Sequence, residues 1–327
     1  MRIFRKIALL AVAAVLAPAA SAQADDVKLR VNVFPGAQDL AVFAAQDKGF
    51  FAKRGLAVEL QFTPTSQAQR DGLVNGSFEI AQAGVDNAVY LVENNKADVI
   101  IVAGGDNSMN ELIVRPEIRS YKDIRGKTVV VDAPNTAYAF QLYRILADHG
   151  LKQGDYKVLP KGGPALRLQA MRDDPANVAS MIYLPWYVMA EKDGYKSMGS
   201  VQKLIGPYQG SGVWVLRSWA KANDAVLVKY LQGMISGLRW AMDPKNRDEA
   251  AAMLAQRLKV DLEIARRAVA AATGPGGGLA KDARFDMKGF AATLKLRQQF
   301  SDQPNAPIPP AEKYLDLSYY KRAIAGL

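Results

Sequence analysis

The stretch 62–89, FTPTSQAQRDGLVNGSFEIAQAGVDNAV, contains two places where a predicted strand is followed directly by a helix. At the first, a strand ends where the stretch begins and small polar residues follow. Ser66 and, three residues later, Gln69 form a capping-box pattern, which predicts Ser66 as the helix N-cap. Thr65 and Gln67 lie beside it. The free amides of this helix start are expected to face whatever lies beyond the strand.

The second of these strand-to-helix junctions follows the short apolar strand 78–81. Gly84 allows close backbone approach there, and Asp86 or Asn87 is expected to cap the helix 88–92. Two helix N-termini at the same end of one sheet form a cleft for a small ligand.

The same order of strand, loop, helix and returning strand occurs twice along the chain. β-Branched residues mark the strands, and glycine or proline breaks separate the elements. The first copy has strand 29–33, loop 34–37, helix 40–47 and strand 56–60; the second has strand 128–131, loop 133–136, helix 138–148 and strand 156–159. Because each copy is a βαβ unit, the sequence predicts an α/β fold with two lobes, each a mostly parallel sheet flanked by helices.

Two crossing strands, 111–114 and 213–217, are expected to join the lobes. The predicted organisation is a signal peptide at 1–22, a discontinuous lobe I formed by 23–114 and 216–327, and a lobe II formed by 115–215. The length suits two such units, since domains commonly contain about 100–200 residues.

The first 22 residues have the pattern of a cleavable export signal. Three basic residues within the first six are followed by an apolar run at 7–16 and by the small-residue cleavage pattern ASA at 20–22. The apolar run is shorter than the roughly 20 residues of a membrane-spanning helix. With no cysteine, the chain has neither a lipid-anchor thiol nor a disulfide. We therefore expect a soluble periplasmic protein without a lipid anchor.

The composition excludes several classes of chemistry. Zero cysteine and a single histidine exclude thiol catalysis, iron–sulfur clusters and zinc sites built from thiolate and imidazole, so we expect no metal and no cofactor. The histidine, His149, precedes Gly150 at a predicted helix end, where imidazole suits the helix dipole. No G-x-S-x-G nucleophile elbow occurs. The sequence therefore predicts a protein that is not an enzyme.

The net charge of +10 falls to +7 without the signal, because three of the 42 Lys and Arg residues lie within 1–22. The remaining basic residues are scattered among Asp and Glu, which argues against nucleic-acid binding. A basic surface of this kind favours anionic ligands or an acidic partner.

Several segments together resemble the periplasmic solute-binding proteins of ABC importers, in the branch that serves nitrate, sulfonates, taurine and thiamine-pyrimidine precursors. They are KGFFAKRGLAVEL at 48–60 within the segment 40–60, VDNA at 85–88, IRGKTVV at 124–130, PW at 185–186 and GYK at 194–196. The resemblance covers essentially the whole mature chain. It implies a type II-like two-lobed fold that closes on a small solute and presents it to a membrane permease. It does not identify the solute, because the branches differ mainly in the cleft loops.

Ligands of open α/β sheets bind beyond the carboxyl ends of the strands. Applied to each predicted loop, this rule selects the following ligand-binding candidates: Phe34, Gln38, Thr65, Ser66, Gln67, Asp86, Asn87, Asn107, Asn135, Thr136, Tyr138, Arg167 and Trp186. Any one of them can equally be an ordinary cap or turn residue, so the argument depends on the set. Ser66, Asn135 and Thr136 are the strongest candidates.

Four of these candidates have two interpretations each. Arg167, expected near a helix start, either presents a guanidinium fork to a carboxylate or sulfonate or faces solvent. Trp186 and Tyr138 either stack on the ligand or pack beneath their loops. Asp86 either caps its helix or binds a donor group of the ligand, and the second role would disfavour a purely anionic ligand.

The expected function is that of a monomeric solute-binding component of an ABC transporter. It would capture a small organic anion, a sulfonate or carboxylate, between the lobes and deliver it to an inner-membrane permease. A pyrimidine or other heterocycle is the second ligand class. An exported enzyme that has kept the binding fold is the alternative from another functional class, and a binding protein that delivers its solute to a receptor is a third.

Overall fold

The first lobe is built on a five-stranded mixed sheet. The structure is a computed structural model that describes residues 26–327, so the predicted signal peptide 1–22 lies outside the described residues. The strands of this sheet are β1 Val27–Val33, β2 Leu56–Phe62, β3 Ile80–Gly84, β4 Val99–Gly104 and β10 Ser211–Leu216. Their order is β2-β1-β3-β10-β4. β2 and β3 run parallel to β1, whereas β10 is antiparallel to both of its neighbours.

The second lobe repeats this design. Its strands are β5 Asn110–Val114, β6 Thr128–Val131, β7 Lys157–Pro160, β8 Asn177–Tyr183 and β9 Lys196–Ser200. Their order is β7-β6-β8-β5-β9, with β7 and β8 parallel to β6 and with β5 antiparallel to β8 and β9. The prediction of two α/β lobes is confirmed, and in each sheet the crossing strand supplies the antiparallel pairs.

Helices cover both faces of each sheet, because alternate strand residues are apolar on both sides. Val213 and Val215 of β10 join one apolar cluster, and Trp214 between them joins another. Along β5, Leu112 and Ile113 likewise enter different clusters. The helices are α1 Leu40–Asp47, α2 Ser66–Val74, α3 Val85–Asn94, α4 Ala137–Asp148, α5 Pro164–Asp173, α6 Trp186–Lys192, α7 Val201–Leu204, α8 Arg217–Ala222, α9 Asp224–Met242, α10 Arg247–Leu258, α11 Leu262–Thr273, α12 Met287–Gln299 and α13 Ser318–Ala325. None of these helices of the described chain is long and apolar enough to cross a membrane.

The positions at which the chain changes sheets differ from the predicted ones. β5 belongs to the second sheet and β10 to the first, so the chain crosses before Asn110 and before Ser211. Boundaries at 114 and 215 would separate each strand from the sheet that it pairs with. The pattern of apolar residues located both strands but did not indicate their partners, since pairing is a property of the assembled sheet.

The two crossing segments, 105–109 and 205–210, lie side by side and are hydrogen-bonded to each other. The Gly210 amide donates to the Asp106 carbonyl at 2.9 Å, and the Ser211 hydroxyl donates to the Asp106 carboxylate. A Cβ atom at Gly210 would lie 2.2 Å from the Ser108 amide nitrogen and 2.4 Å from Asp106 Oδ1. The close approach of the segments therefore requires glycine at this position.

Gly210→Ala should destabilise the fold, because the added methyl group must push the crossing segments apart. We expect the free energy of unfolding to fall by about 1–3 kcal/mol, the usual range for overpacking. Urea denaturation measures this. Lys203→Ala, at an exposed site in nearby α7, is the control and should change stability by less than about 0.5 kcal/mol. Equal stability of Gly210→Ala and the parent protein would contradict the steric argument.

Candidate functional site

The carboxyl ends of the parallel strands of both sheets face each other, and the loops that follow them are in direct contact. The Gly163 amide donates to the Pro64 carbonyl at 3.0 Å, and the Ala37 amide donates to the Leu184 carbonyl at 3.0 Å. The Trp186 indole donates to the Pro35 carbonyl at 3.1 Å. The two lobes are thus closed on each other, with the predicted site residues at or near their interface.

The first helix start of the stretch 62–89 is capped one residue earlier than predicted. Thr65 is the N-cap of α2, and its hydroxyl accepts from the Ala68 amide at 3.1 Å. Ser66 is instead buried, with 4% of its surface exposed, and its hydroxyl donates to Asp132 Oδ2 at 3.2 Å in the other lobe. Since Thr and Ser are both good caps, their order alone did not indicate that Ser66 reaches across the interface.

Asp132 is the centre of a polar network that contains three predicted site residues. It follows β6 directly and accepts hydrogen bonds from Ser66 and from the Thr136 hydroxyl. The Asn87 amide donates to the Ser66 hydroxyl at 3.4 Å, and Arg70 donates to Asn87 Oδ1 at 2.8 Å. Ser66, Asn87 and Thr136 are thus brought together in one buried network that spans both lobes.

Asp86 caps a helix of the opposite lobe. α3 starts at Val85, so Asp86 lies inside its first turn, not at its N-cap as predicted. Its Oδ2 atom accepts from the Ala137 amide, the first of α4, at 2.7 Å. Arg297 of α12 lies 3.7 Å from the same oxygen. Burial raises the pKa of Asp86, and this outweighs the opposing effects of the Arg297 charge and the Ala137 hydrogen bond.

A second cluster lies where the turn 36–39 contacts Tyr183, the last residue of β8. A Cβ atom at Gly36 would lie 2.1 Å from Gln38 Oε1 and 2.6 Å from a Tyr183 ring carbon, so both side chains contact this turn. Asp39, which ends the turn, is fully buried. Within residues 26–327, neither Asp39 oxygen, Gln38 Oε1 nor the Tyr183 hydroxyl has a hydrogen-bond partner of good geometry, although the Gly36 amide lies near the Asp39 carboxyl group and the Gln38 side chain lies near the Tyr183 hydroxyl.

Arg167 and Tyr138 extend this second cluster. The Arg167 guanidinium lies 5.6 Å from the Tyr138 ring centre, and the Tyr138 and Tyr183 rings are 5.8 Å apart. Arg167 is buried and does not face solvent. Its Nη1 and Nη2 atoms donate to the carbonyls of Gly162 and Met181, at 2.8 and 2.9 Å. Both terminal nitrogens of the guanidinium therefore already donate a hydrogen bond to a backbone carbonyl. Nε has no partner in the described chain.

Most of the other predicted residues lie outside the two clusters. Phe34 packs against an apolar cluster of the first lobe, and Trp186 is half-buried against the Pro35 loop. Asn107 lies in the first crossing segment, where its amide bonds to Gly278. Asn135 is exposed. Gln67 is exposed as well, but its Oε1 atom accepts from Arg70 Nη2 at 2.9 Å and so extends the first network.

His149 follows α4 as its C-cap, and its ring stacks on the Tyr121 ring with centres 3.6 Å apart. This position agrees with the expectation of a residue at a helix end.

Sequence reasoning missed Asp39, Asp132 and Tyr183. Asp39 directly precedes α1, Asp132 directly follows β6, and Tyr183 ends β8, all at the cleft side of a sheet, so the strand-end rule could have selected them. Asp39 immediately before helix 40–47 resembles an ordinary N-cap residue, but its side chain makes no capping bond within the described structure.

A cavity of about 570 Å³ lies beside the interface, between α3, the start of α4 and α12. Its lining includes Tyr90, Phe140, Arg297 and Asn135. Asn135 alone among the predicted site residues lines it. The two buried clusters, not this cavity, therefore carry most of the predicted site.

The sequence profile of the NMT1-like family matches residues 22–255. The chain belongs to the NMT1-like family. The match spans both βαβ copies and all of the strands in the two sheets. No curated protein sequence matches the chain significantly.

Solved structures of similar fold include several binding proteins. A Bordetella bronchiseptica protein has 20% identity and a TM-score of 0.79, covering 92% of this chain and 98% of its own. The periplasmic nitrate-binding protein NrtA of Synechocystis PCC 6803 has 15% identity and a TM-score of 0.75, covering 92% and 89%. The alkanesulfonate-binding protein SsuA of Xanthomonas axonopodis, bound to MOPS, has 19% identity and a TM-score of 0.69, covering 90% and 100%. These matches confirm the predicted two-lobed periplasmic-binding-protein fold.

The same fold also occurs in an enzyme. The desulfurization enzyme DszB has 15% identity to this chain and a TM-score of 0.62, covering 92% of this chain and 99% of its own. The fold alone therefore does not separate binding from catalysis.

Asp86→Ala should destabilise the closed protein, because it leaves the Ala137 amide without an acceptor and Arg297 without a nearby acid. We expect a loss of about 2–4 kcal/mol in the free energy of unfolding. Asp86→Asn is the matched variant: its amide oxygen can still accept from Ala137, so its loss should be smaller. Equal losses for both variants would contradict the capping role.

Asp39→Asn tests the buried carboxyl group in the solute-free protein. Burial raises the pKa of Asp39 well above its usual range, against a smaller lowering by the Gly36 amide, and the Asp106 charge raises it further. Because the folded-state pKa exceeds the unfolded one, the folded protein binds more protons, and stability falls as pH rises through this interval. Asparagine cannot ionise, so Asp39→Asn should raise the thermal midpoint more at about pH 8 than at about pH 4.

Differential scanning calorimetry at both pH values measures this effect. Asp248→Asn is the control, since the Asp248 side chain is 89% exposed and its replacement should act almost equally at both pH values. A gain for Asp39→Asn that is as large at the acidic pH would contradict the buried-carboxyl argument.

Proposed function

We propose that the protein is the solute-binding component of an ABC importer, exported to the periplasm and acting there as a monomer. It captures a small organic anion between its lobes and presents the closed form to an inner-membrane permease. The observation that carries this proposal is the contact of both lobes through buried polar groups at the strand ends. Separation of the lobes would expose these groups to water and to an entering solute.

The anionic class is supported by donors at the interface. α2 and α4 begin there, and the free amides at helix starts favour negative charge. The buried Arg167 adds a positive charge beside Tyr138. The solutes for which NrtA and SsuA are named, nitrate and alkanesulfonate, are also anions. A pyrimidine or other heterocycle remains the second ligand class, for which the neighbouring rings of Tyr138 and Tyr183, inclined at 55° to each other, are a suitable surface.

Thermal unfolding of the mature chain tests the proposal, after one cycle of unfolding and refolding to remove bound solute. The panel contains nitrate, alkanesulfonates, aliphatic and aromatic carboxylates, and pyrimidines. A ligand at a hundred times its Kd should stabilise the protein by about 2.7 kcal/mol. Calorimetry should then give a three- to tenfold weaker Kd for Thr136→Val, which loses one hydroxyl at the interface. Thr273→Val, whose hydroxyl bonds within α11, is the matched control.

The enzyme alternative rests on the fold shared with DszB. Mass spectrometry of the ligand after prolonged incubation separates the two functions, because a binding protein releases its solute unchanged. Conversion of the ligand by the protein would favour the enzyme. Absence of stabilisation across the panel, together with no solute in a denaturing extract of natively purified protein, would refute the binding role.

A further inference from the structure

The cavity of about 570 Å³ beside the interface is separate from the two polar clusters. Its walls are formed by α3, the start of α4, the second half of α12 and the loop 301–309. Its volume lies within the roughly 300–1,000 Å³ of small-molecule sites in proteins. Since α3 follows a strand of the first sheet and α4 a strand of the second, an occupant of the cavity contacts both lobes.

Aromatic rings form much of the cavity wall, namely those of Tyr90, Phe140, Phe300 and Tyr314. The rings of Phe140 and Phe300 are stacked, with centres 5.7 Å apart and planes inclined at 12°. Ile308 also lines the cavity, and 44% of its surface is exposed. An occupant with a flat apolar body would cover this side chain and pack against the rings.

Arg297 brings a positive charge to this aromatic wall. Its side chain is only 12% exposed, and its guanidinium carbon lies 5.2 Å from the Tyr90 ring centre and 5.8 Å from the Phe140 ring centre. Within residues 26–327 its guanidinium donates a single, long hydrogen bond, 3.5 Å from Nη2 to Oδ1 of the exposed Asn94. Nη1 lies 3.7 Å from Asp86 Oδ2, beyond hydrogen-bond distance, and has no other partner in the described chain. The guanidinium therefore retains donor capacity.

The acidic residues of the cavity lining do not use this capacity. Glu93 is paired with Lys313, whose Nζ lies 2.7 Å from its Oε1 atom, and the same oxygen accepts from the Tyr314 hydroxyl at 2.6 Å. Asp302 is exposed and forms no ion pair with Arg297 in the described structure. An acceptor group that enters from outside is therefore the partner that suits the guanidinium.

We propose that this cavity is a binding site for an aromatic carboxylic acid of one or two rings. The rings pack against Tyr90, Phe140 and Phe300, and the carboxylate displaces the exposed Asn94 side chain to accept a charge-assisted hydrogen bond from Arg297. A neutral aromatic compound forms only the weaker, neutral bond, and an aromatic amine brings a second positive charge to Arg297. The site is distinct from the cleft of the proposed function and does not depend on that proposal.

Calorimetry and methyl NMR of the mature chain test the site with three probes of one carbon skeleton. They are 2-naphthoate, its neutral amide and its saturated analogue, decahydro-2-naphthoate. We expect 2-naphthoate to bind about tenfold or more tightly than the amide, because only the acid forms the charge-assisted bond to Arg297. It should bind about threefold or more tightly than the saturated acid, which lacks aromatic packing. The Ile308 methyl resonances should shift saturably with the same Kd.

Two variants locate the bound probe. Ala306→Trp places an indole in the cavity wall and should weaken the binding of 2-naphthoate about tenfold or more. Ala252→Trp, at an exposed site in α10 outside the lining, is the matched control and should leave the affinity unchanged. Arg297→Lys keeps the charge beside Asp86 but lacks the planar fork, so the preference for the acid over the amide should fall about threefold or more.

The outcomes separate this site from the cleft. Absence of a saturable shift at Ile308, equal affinity for the acid and the amide, or unchanged affinity in Ala306→Trp would each overturn the inference. Binding of 2-naphthoate that leaves the Ile308 resonances in place would assign the probe to the cleft, and so would support the proposed function and overturn this one. A shift at Ile308 that Ala306→Trp abolishes would support the site, whether or not any solute binds in the cleft.

Discussion

Closing two polar sheet ends against each other removes water from amides and carboxylates that then need partners. In the closed protein, polar groups of each lobe supply hydrogen-bond partners to polar groups of the other lobe. Asp86 of the first lobe accepts from the first amide of α4 in the second, and Ser66 donates to Asp132 across the same interface. Most of the hydrogen bonding within the candidate site follows from this requirement, because a buried polar group without a partner costs about 1–3 kcal/mol.

The first cluster, centred on Asp132, is self-sufficient, whereas the second, around Tyr183, is not. Asp132 accepts from both lobes, so its network is complete in the closed protein. Around Tyr183, a carboxyl, a hydroxyl and a guanidinium nitrogen lack partners within the described residues. The contrast distinguishes the two clusters: the first joins the lobes through completed hydrogen bonds, and the second retains groups without partners among the described residues.

Local patterns were sufficient to predict the elements of the fold. Helix 40–47 begins and ends at the predicted residues, and helix 138–148 begins one residue earlier than predicted and ends at the predicted residue. β1, β2 and the second βαβ unit were also recognised, because β-branched strands and glycine stops act over a few residues. Pairing of the crossing strands was not predictable in this way, since β10 and β5 each lie between two strands that are distant in the sequence or belong to the other half of the chain.

The site was predictable in outline but not in its bonding. The strand-end rule brought Ser66, Asn87 and Thr136 into one network, as a set of equivalent positions should be. It gave Asp86 a cap on its own helix, whereas the amide that it bonds lies 51 residues away along the chain. It passed over Asp39 because an aspartate before a helix has an ordinary local explanation. In the structure the Asp39 side chain makes no capping bond, so capping does not explain its position.

The cap that Asp86 places on α4 makes one backbone proton a reporter of lobe motion. While the lobes are closed, the Ala137 amide is held by a carboxylate that belongs to the other lobe. Its exchange with solvent therefore requires the lobes to part but does not require α4 to unwind, unlike the amides deeper in the same helix. Exchange at Ala137 thus measures how often the cleft opens, in the absence of any solute.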